Sequence, residues 1–144
     1  MTTEILIADD QELVRLGYRM VINSQPDLKV TGEAGDGAQA ITAARVLRPD
    51  VILLDIHMPY LDGVLAARQI VREDPGSKII LVTTFTYDYD DYLEAGLQAG
   101  VRGFLLKDAT PAQLLAAIRA VKAGQLVLPS PPAGASGPSS ASTV

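Results

Sequence analysis

The chain has 144 residues, 48% of them hydrophobic and 20% charged, which is enough apolar material for one domain with a real core. A net charge of −5 argues against nucleic-acid binding through this segment's own surface, because phosphate contacts need clustered Lys and Arg. The absence of cysteine excludes disulfides and thiolate metal sites, and no apolar run approaches the ~18 residues that span a bilayer. No basic segment followed by an apolar stretch opens the chain, so the expected location is the cytoplasm.

Strand-like apolar runs alternate with helix-like segments at intervals of about 25 residues. The first strand, residues 4–8, runs straight into Asp9-Asp10. A helix over roughly 11–24 follows, with Leu13, Leu16, Gly17 and Met20 as its apolar stripe, and Pro26 forces it to stop near Gln25. The second strand, 29–34, is more polar and suits a sheet edge. The second helix starts after Asp36, turns Ile41, Ala44 and Leu47 inward, and ends before Pro49. The third strand, 51–55, ends in Asp55. The third helix, from about 63 to 72, carries Val64, Ala67, Ile70 and Val71 on one face. The fourth strand, 78–83, runs into Thr83-Thr84.

From Thr86 to Tyr92 aromatic and acidic residues alternate, which reads as a loop followed by a short, late-starting helix. Its tyrosines are expected to pack, partly exposed, at that helix start; a partner-binding patch is the alternative. The fifth strand, 101–106, leads into Lys107. The last helix is capped by Thr110, with Pro111 at its first position and Gln113 completing a capping box. Leu114, Ile118 and Val121 form its stripe, and Gly124 its stop. The domain is expected to cover 3–126, and 127–144 to form a Pro/Ser/Ala/Gly-rich disordered tail or linker.

Five strands with crossover helices predict an open, doubly wound parallel α/β sheet. Ligands of such sheets bind beyond the carboxyl ends of the strands. Asp9, Asp10, Asp55, Thr83 and Lys107 all fall there. Adjacent Asp9 and Asp10 repel one another without a cation. Mg²⁺ would relieve that, taking one or two carboxylates and keeping several waters. Asp10 and Asp55, with a backbone carbonyl nearby, would complete such a site. Asp55 is then a nucleophile able to form an aspartyl phosphate. The three phosphoryl oxygens would be met by Mg²⁺, by the Thr83 hydroxyl with backbone N–H groups, and by Lys107. Each residue alone has an ordinary alternative: Asp9-Asp10 can cap the first helix, Lys107 can be a surface lysine, and Thr83 a plain strand residue.

Taken together, Asp9-Asp10, Asp55-Ile56-His57-Met58-Pro59, Asp62-Gly63, Thr83 and Leu105-Leu106-Lys107-Asp108-Ala109 resemble the receiver domain of two-component response regulators. Gly103-Phe104-Leu105-Leu106-Lys107-Asp108-Ala109, Ala117-Ile118-Arg119 and Ala123-Gly124 resemble its NarL/LuxR branch. The resemblance implies a flavodoxin-like five-stranded parallel sheet of order 2-1-3-4-5 with five helices. It implies that Asp55 is the phosphoacceptor, that Asp9, Asp10 and Asp55 hold Mg²⁺ with the His57 backbone carbonyl, and that Lys107 and Thr83 contact the phosphoryl group. Phe104 falls at the aromatic position that switches rotamer with Thr83. The implied partners are a sensor histidine kinase and a second copy of the chain. Signalling is expected through the surface of helix 4, strand 5 and helix 5. DNA would be reached only through a C-terminal helix-turn-helix domain, which is absent from these 144 residues; a stand-alone receiver acting by protein contacts is the alternative.

The sequence departs from the family pattern in having Asp108, where many receivers have proline, and in a Thr86–Tyr92 segment about two residues longer than usual. An aspartate-nucleophile phosphatase is disfavoured because D-x-D-x-T is not met: position 57 is His and position 59 is Pro. A receiver fold that signals without chemistry is disfavoured by the intact acid set. His57 as a phosphodonor and Gly32, Gly35 and Gly37 as a phosphate loop are both rejected, the latter because G-x-G-x-x-G is not met.

Overall fold

A computed structural model of the chain describes residues 2–84 and 89–129. Its elements are β1 (Thr3–Ala8), α1 (Glu12–Asn23), β2 (Leu28–Ala34), α2 (Gly37–Leu47), β3 (Val51–Asp55), α3 (Gly63–Glu73), β4 (Ile79–Thr83), α4 (Tyr89–Ala99), β5 (Gly103–Leu106) and α5 (Pro111–Lys122). All strand pairs are parallel and the order is β2-β1-β3-β4-β5, as expected. The near-continuous apolar runs are covered on both faces: every residue of the inner strands β3 and β4 and of the edge strand β5 is buried. The more polar β2 is an edge strand.

Alternation along each strand divides the core into two layers. Leu6, Ile52, Leu54, Leu81 and Phe104 face α2, α3 and α4, where Ala40, Ala67, Ile70 and Ala99 meet them. Ile5, Ile7, Leu53, Ile80, Val82 and Leu105 face α1 and α5, against Ile22, Leu114, Ile118 and Val121. The helix signals read from the sequence are in place. Asp36 Oδ1 accepts the Gln39 N–H at 2.8 Å, and Asp62 Oδ1 accepts the Leu65 N–H at 2.9 Å. Thr110 and Gln113 exchange two bonds in a capping box. At the far end of α5, Gly124 takes φ +94, so that Gly124 N–H reaches the Val121 carbonyl and Gln125 N–H the Ala120 carbonyl, each at 3.0 Å.

Three expectations need correction. The stripe Leu13, Leu16, Gly17, Met20 does not face the core: Leu13 is 80% exposed and Met20 66%. Helix α1 has two apolar stripes at helical spacing, and the one that packs is Val14, Tyr18, Val21 and Ile22, which places the fully buried Ile22 between the sheet and α5. Leu47 is likewise at the surface, while Ile41 and Ala44 pack partly buried and Ala40 fully. Helix α4 starts at Tyr89, inside the aromatic–acidic run, and spans 11 residues rather than beginning late. Tyr89 is buried there and Tyr92 packs against the α4 side of the core, which favours the packing role for both. Residues 86–88 of that run lie outside the described residues.

The chain also continues past α5 as part of the sheet. Val127, assigned to the tail by composition, forms a parallel bridge with Gly103 of β5. Residues 130–144 lie outside the described residues.

The loop after β3 is held shut by a close approach. A Cβ on Gly63 would collide with the Asp55 carbonyl oxygen and come within 2.8 Å of Ile56 Cα, and Gly63 N–H donates to the Ile56 carbonyl at 2.8 Å. The obstacle is backbone, so it cannot rotate away. Gly63→Ala is therefore expected to destabilise the fold by about 2 kcal/mol or more, read as a lower urea midpoint at unchanged slope; a midpoint equal to wild type would refute the packing account.

Candidate functional site

The register of the sheet brings the strand ends to one level. Ala8 pairs with Leu54, Asp55 with Val82, and Thr83 with Leu106, so the residues following β1 and β5 lie beside the ends of β3 and β4. Asp9 and Asp55 are buried carboxylates and Thr83 is a buried hydroxyl, while Asp10 is exposed. One carboxylate oxygen from each of Asp9, Asp10 and Asp55 lies within 4.8 Å of the others.

One ammonium answers these three charges. Lys107 Nζ donates to Asp55 Oδ2 at 3.1 Å and lies 3.7 Å from Asp9 Oδ2. Its own N–H donates to the Thr83 carbonyl at 2.8 Å, which ties the base of the side chain to the end of β4. The Lys107–Asp108 peptide is trans. Asp55 Oδ1 accepts the His57 N–H at 3.2 Å, and Asp9 Oδ1 accepts the Gln11 N–H at 2.8 Å. Asp9 Oδ2 is buried and accepts no hydrogen bond. The Thr83 hydroxyl donates to the Thr84 carbonyl at 3.1 Å, and so is turned away from Asp55. Asp9-Asp10 does not cap α1, whose N-cap is Gln11 without a side-chain bond.

The charges leave a signature on the groups around them. Burial, and then the Asp9 charge, raise the Asp55 pKa above the usual carboxylate value, against the opposing pull of Lys107 and the His57 N–H. Burial works against the Lys107 ammonium, but its bond to Asp55 and the charges of Asp55, Asp9 and Asp10 outweigh that and raise its pKa. Tyr18 of α1 is pushed up to about 12 by burial and then by the same two buried acids. The set is therefore short of positive charge. Hard oxygen donors, an unsatisfied buried carboxylate oxygen and clustered acids fit a divalent cation such as Mg²⁺. Among the described residues no N–H donates to the His57 carbonyl, which leaves that oxygen available to the same ion.

The structure thus brings together Asp9, Asp10, Asp55 and Lys107, and places Thr83 at the same edge. Phe104 is elsewhere: its ring is buried in the core under α4. Three neighbours of the site carried no signal in the sequence. Arg15 of α1 donates to the Asp9 carbonyl at 2.6 Å while pairing with Glu33, Tyr18 lies within the acids' field, and the His57 ring meets the edge of Tyr92 of α4 at 5.4 Å. The Arg15 and Tyr18 contacts join α1 to the end of the strand before it, and His57 meets Tyr92 across a long stretch of sequence. Only the three-residue spacing of Arg15 and Tyr18 on one side of α1 hints at any of them.

Comparison with known proteins places this geometry. The sequence pattern of the family described as "Response regulator receiver domain" matches residues 5–119. The chain is 47% identical over 123 residues to the uncharacterized transcriptional regulatory protein YxjL of Bacillus subtilis, covering 85% of the chain and 56% of that protein. It is 42% identical over 130 residues to the transcriptional regulatory protein LiaR of the same organism, covering 90% of the chain and 61% of the relative. The chain thus spans about three-fifths of the length of these relatives. Among solved structures, a LuxR-family two-component response regulator from Aurantimonas superposes with a TM-score of 0.82 at 31% identity, covering 88% of this chain and 89% of that one. The chain belongs to the response regulator receiver domain family, with LuxR-type regulators among its relatives.

Proposed function

We propose that this chain is a phosphorylation-controlled switch in which Asp55 is the phosphoacceptor, a sensor histidine kinase the donor and Mg²⁺ the required ion. The observation that carries this reading is the buried Asp55 carboxylate, set between two other aspartates and a single lysine at the carboxyl edge of the sheet. Asp9, Asp10, Asp55 and the His57 carbonyl would hold Mg²⁺, which would supply positive charge to the phosphoryl oxygens. An Asp55 oxygen forms the new bond to phosphorus as the donor's P–N bond breaks, and the donor nitrogen leaves with the electron pair. No general base is needed, because the attacking oxygen carries no proton. Lys107 then pairs with a phosphoryl oxygen, and the Thr83 hydroxyl turns from the Thr84 carbonyl to a second one. Phe104 follows Thr83.

The product is an altered surface of the protein itself, so no external substrate is transformed. The exposed apolar stripe of α1, Leu13, Leu16 and Met20, supports a contact surface there for the kinase or a second copy. The relatives are named as transcriptional regulators and extend beyond the matched region, which supports DNA regulation through a C-terminal domain. A stand-alone receiver acting by protein contacts is the second reading, favoured by the acidic net charge. The domain is proposed to cover 3–126, with the single bridge of Val127 to Gly103 just beyond that boundary, and the absence of an apolar helix long enough to cross a membrane among the described residues is consistent with a cytoplasmic site of action.

Incubation with acetyl phosphate and Mg²⁺ is expected to add about 80 Da, one HPO₃ in acyl linkage, to the wild type only. Equal labelling of Asp55→Ala in intact-mass spectra would sink the assignment. Lys107→Ala is expected to accept the same mass but to leave the β5 amide resonances where they are without phosphate; a full wild-type shift would contradict its coupling role.

The charge state of Asp55 also enters stability. Its folded pKa lies above the unfolded one, so the folded chain binds that proton more tightly. The group's contribution therefore falls as pH rises from below the unfolded value through the folded one, and above the folded value the ionised carboxylate destabilises the fold. Asp55→Asn in chelator at pH 7 is expected to melt a few degrees above wild type, and the gap to narrow when Mg²⁺ is added. A variant that melts below wild type in chelator would overturn this account.

A further inference from the structure

Residues 125–129 leave α5 and return along the open edge of β5. Val127 N–H donates to the Arg102 carbonyl at 3.0 Å, and Phe104 N–H donates to the Val127 carbonyl at 2.9 Å. This is one rung of a parallel ladder at Gly103. The side chains alternate as in a strand: Val127 is half-buried on the α5 layer of the core, while Leu126 and Leu128 are exposed. The next rung would need a donor at position 129, and Pro129 has none, so the pairing stops after two bonds.

The residue held by this rung is mechanically central. The Phe104 ring lies against Gly96 of α4 so closely that a Cβ there would come within 2.7 Å of it. Three positions further on, Lys107 bonds Asp55 through its ammonium and Thr83 through its N–H. Strand β5 is only four residues long, so these attachments share one short rod. On its inner side the rod has the β4 ladder; on its outer side, among the described residues, it has only the two bonds to Val127. A group inserted between Asp55 and Lys107 must shift Lys107. The outer attachment is the weaker one, and it gives first.

We propose that residues 125–129 are a clasp on the switch strand, closed when Asp55 is free and opened when Asp55 is loaded, so that the 125–129 segment leaves the sheet edge. The proposal rests on the reading of Asp55 as phosphoacceptor and adds the route by which its state reaches the rest of the protein. The clasp is a backbone device: it needs no side chain beyond the Val127 anchor.

The test is amide hydrogen exchange followed by NMR on the full chain, in Mg²⁺ alone and in Mg²⁺ with beryllofluoride as phosphoryl mimic. Loading should speed exchange at Phe104 and Val127 by about tenfold or more, and leave Ile7 of β1 unchanged. Val127→Pro, which deletes one bond, should show the fast Phe104 exchange without any ligand and no further gain on loading. A chain ending at Gly124 lacks the clasp, and by linkage should reach half-saturation at about fivefold lower beryllofluoride than the full chain. Binding of beryllofluoride with no change at Phe104, or equal half-saturation of the two chains, would overturn the clasp and leave the site reading intact. Failure of beryllofluoride to bind at all would overturn the site reading and the clasp with it. Slow Phe104 exchange in Val127→Pro would show that the rung does not protect that amide, which also overturns it.

Discussion

Three carboxylates face one ammonium at the carboxyl edge of the sheet, and the rest of the molecule is arranged around that imbalance. Burial makes it acute: Asp9 and Asp55 have almost no contact with solvent, and one Asp9 oxygen has no donor. A fold gains nothing in stability from such a set. Its hard oxygen donors fit a divalent cation, which would supply the missing positive charge. Among the described residues Lys107 is the sole basic side chain paired with these carboxylates, which ties Asp55 to the end of β5.

The parallel ladder makes the imbalance usable. Since every strand runs the same way, residues just past β1, β3, β4 and β5 share one rim. The register, fixed by burial on both faces, sets them level. The loop after β3 is clamped by the approach of Gly63 to the Asp55 carbonyl, so the Asp55 carboxylate is presented on a constrained backbone. The partners of Asp55 differ in stiffness. The His57 N–H is held by that loop, whereas the Lys107 side chain reaches in from a short strand with a lightly secured outer edge. Movement is thereby directed towards β5 and α4.

Much of this was legible in the sequence because its causes are local. Apolar runs ending in Asp55, Thr83 and Lys107 read as parallel strands covered on both faces, and Asp36 and Thr110 mark helix starts by chemistry that needs no tertiary context. What was misread has non-local causes. Helix α1 has two apolar stripes of equal helical spacing, and which one is buried depends on α5 and the sheet, not on α1 itself. The start of α4 at Tyr89 was obscured because alternating Tyr and Asp carry no cap signal, while burial of Tyr89 supplies the stabilisation that propensity lacks. Val127 was assigned to the tail because one rung of pairing next to a proline leaves no periodicity to detect. The pairing of Arg15 with Glu33 and the contact of His57 with Tyr92 join separate elements, so nothing near either residue announces them.

The opposite rim of the sheet is built on a contrary principle. There Arg119 pairs with Asp27 at 2.8 Å and Lys122 with Asp50 at 3.0 Å, joining the end of α5 to the turns before β2 and β3. These are exposed pairs of unlike charge, whereas the functional rim gathers like charges. Dissolved electrolyte therefore acts with opposite sign at the two ends: it loosens the pairs at one rim and relieves the repulsion at the other, the latter less because the acids are buried. The molecule's response to ionic strength is a difference between two opposing terms. A cell that changes its salt content shifts the balance between the rim that holds the fold together and the rim that is waiting for charge.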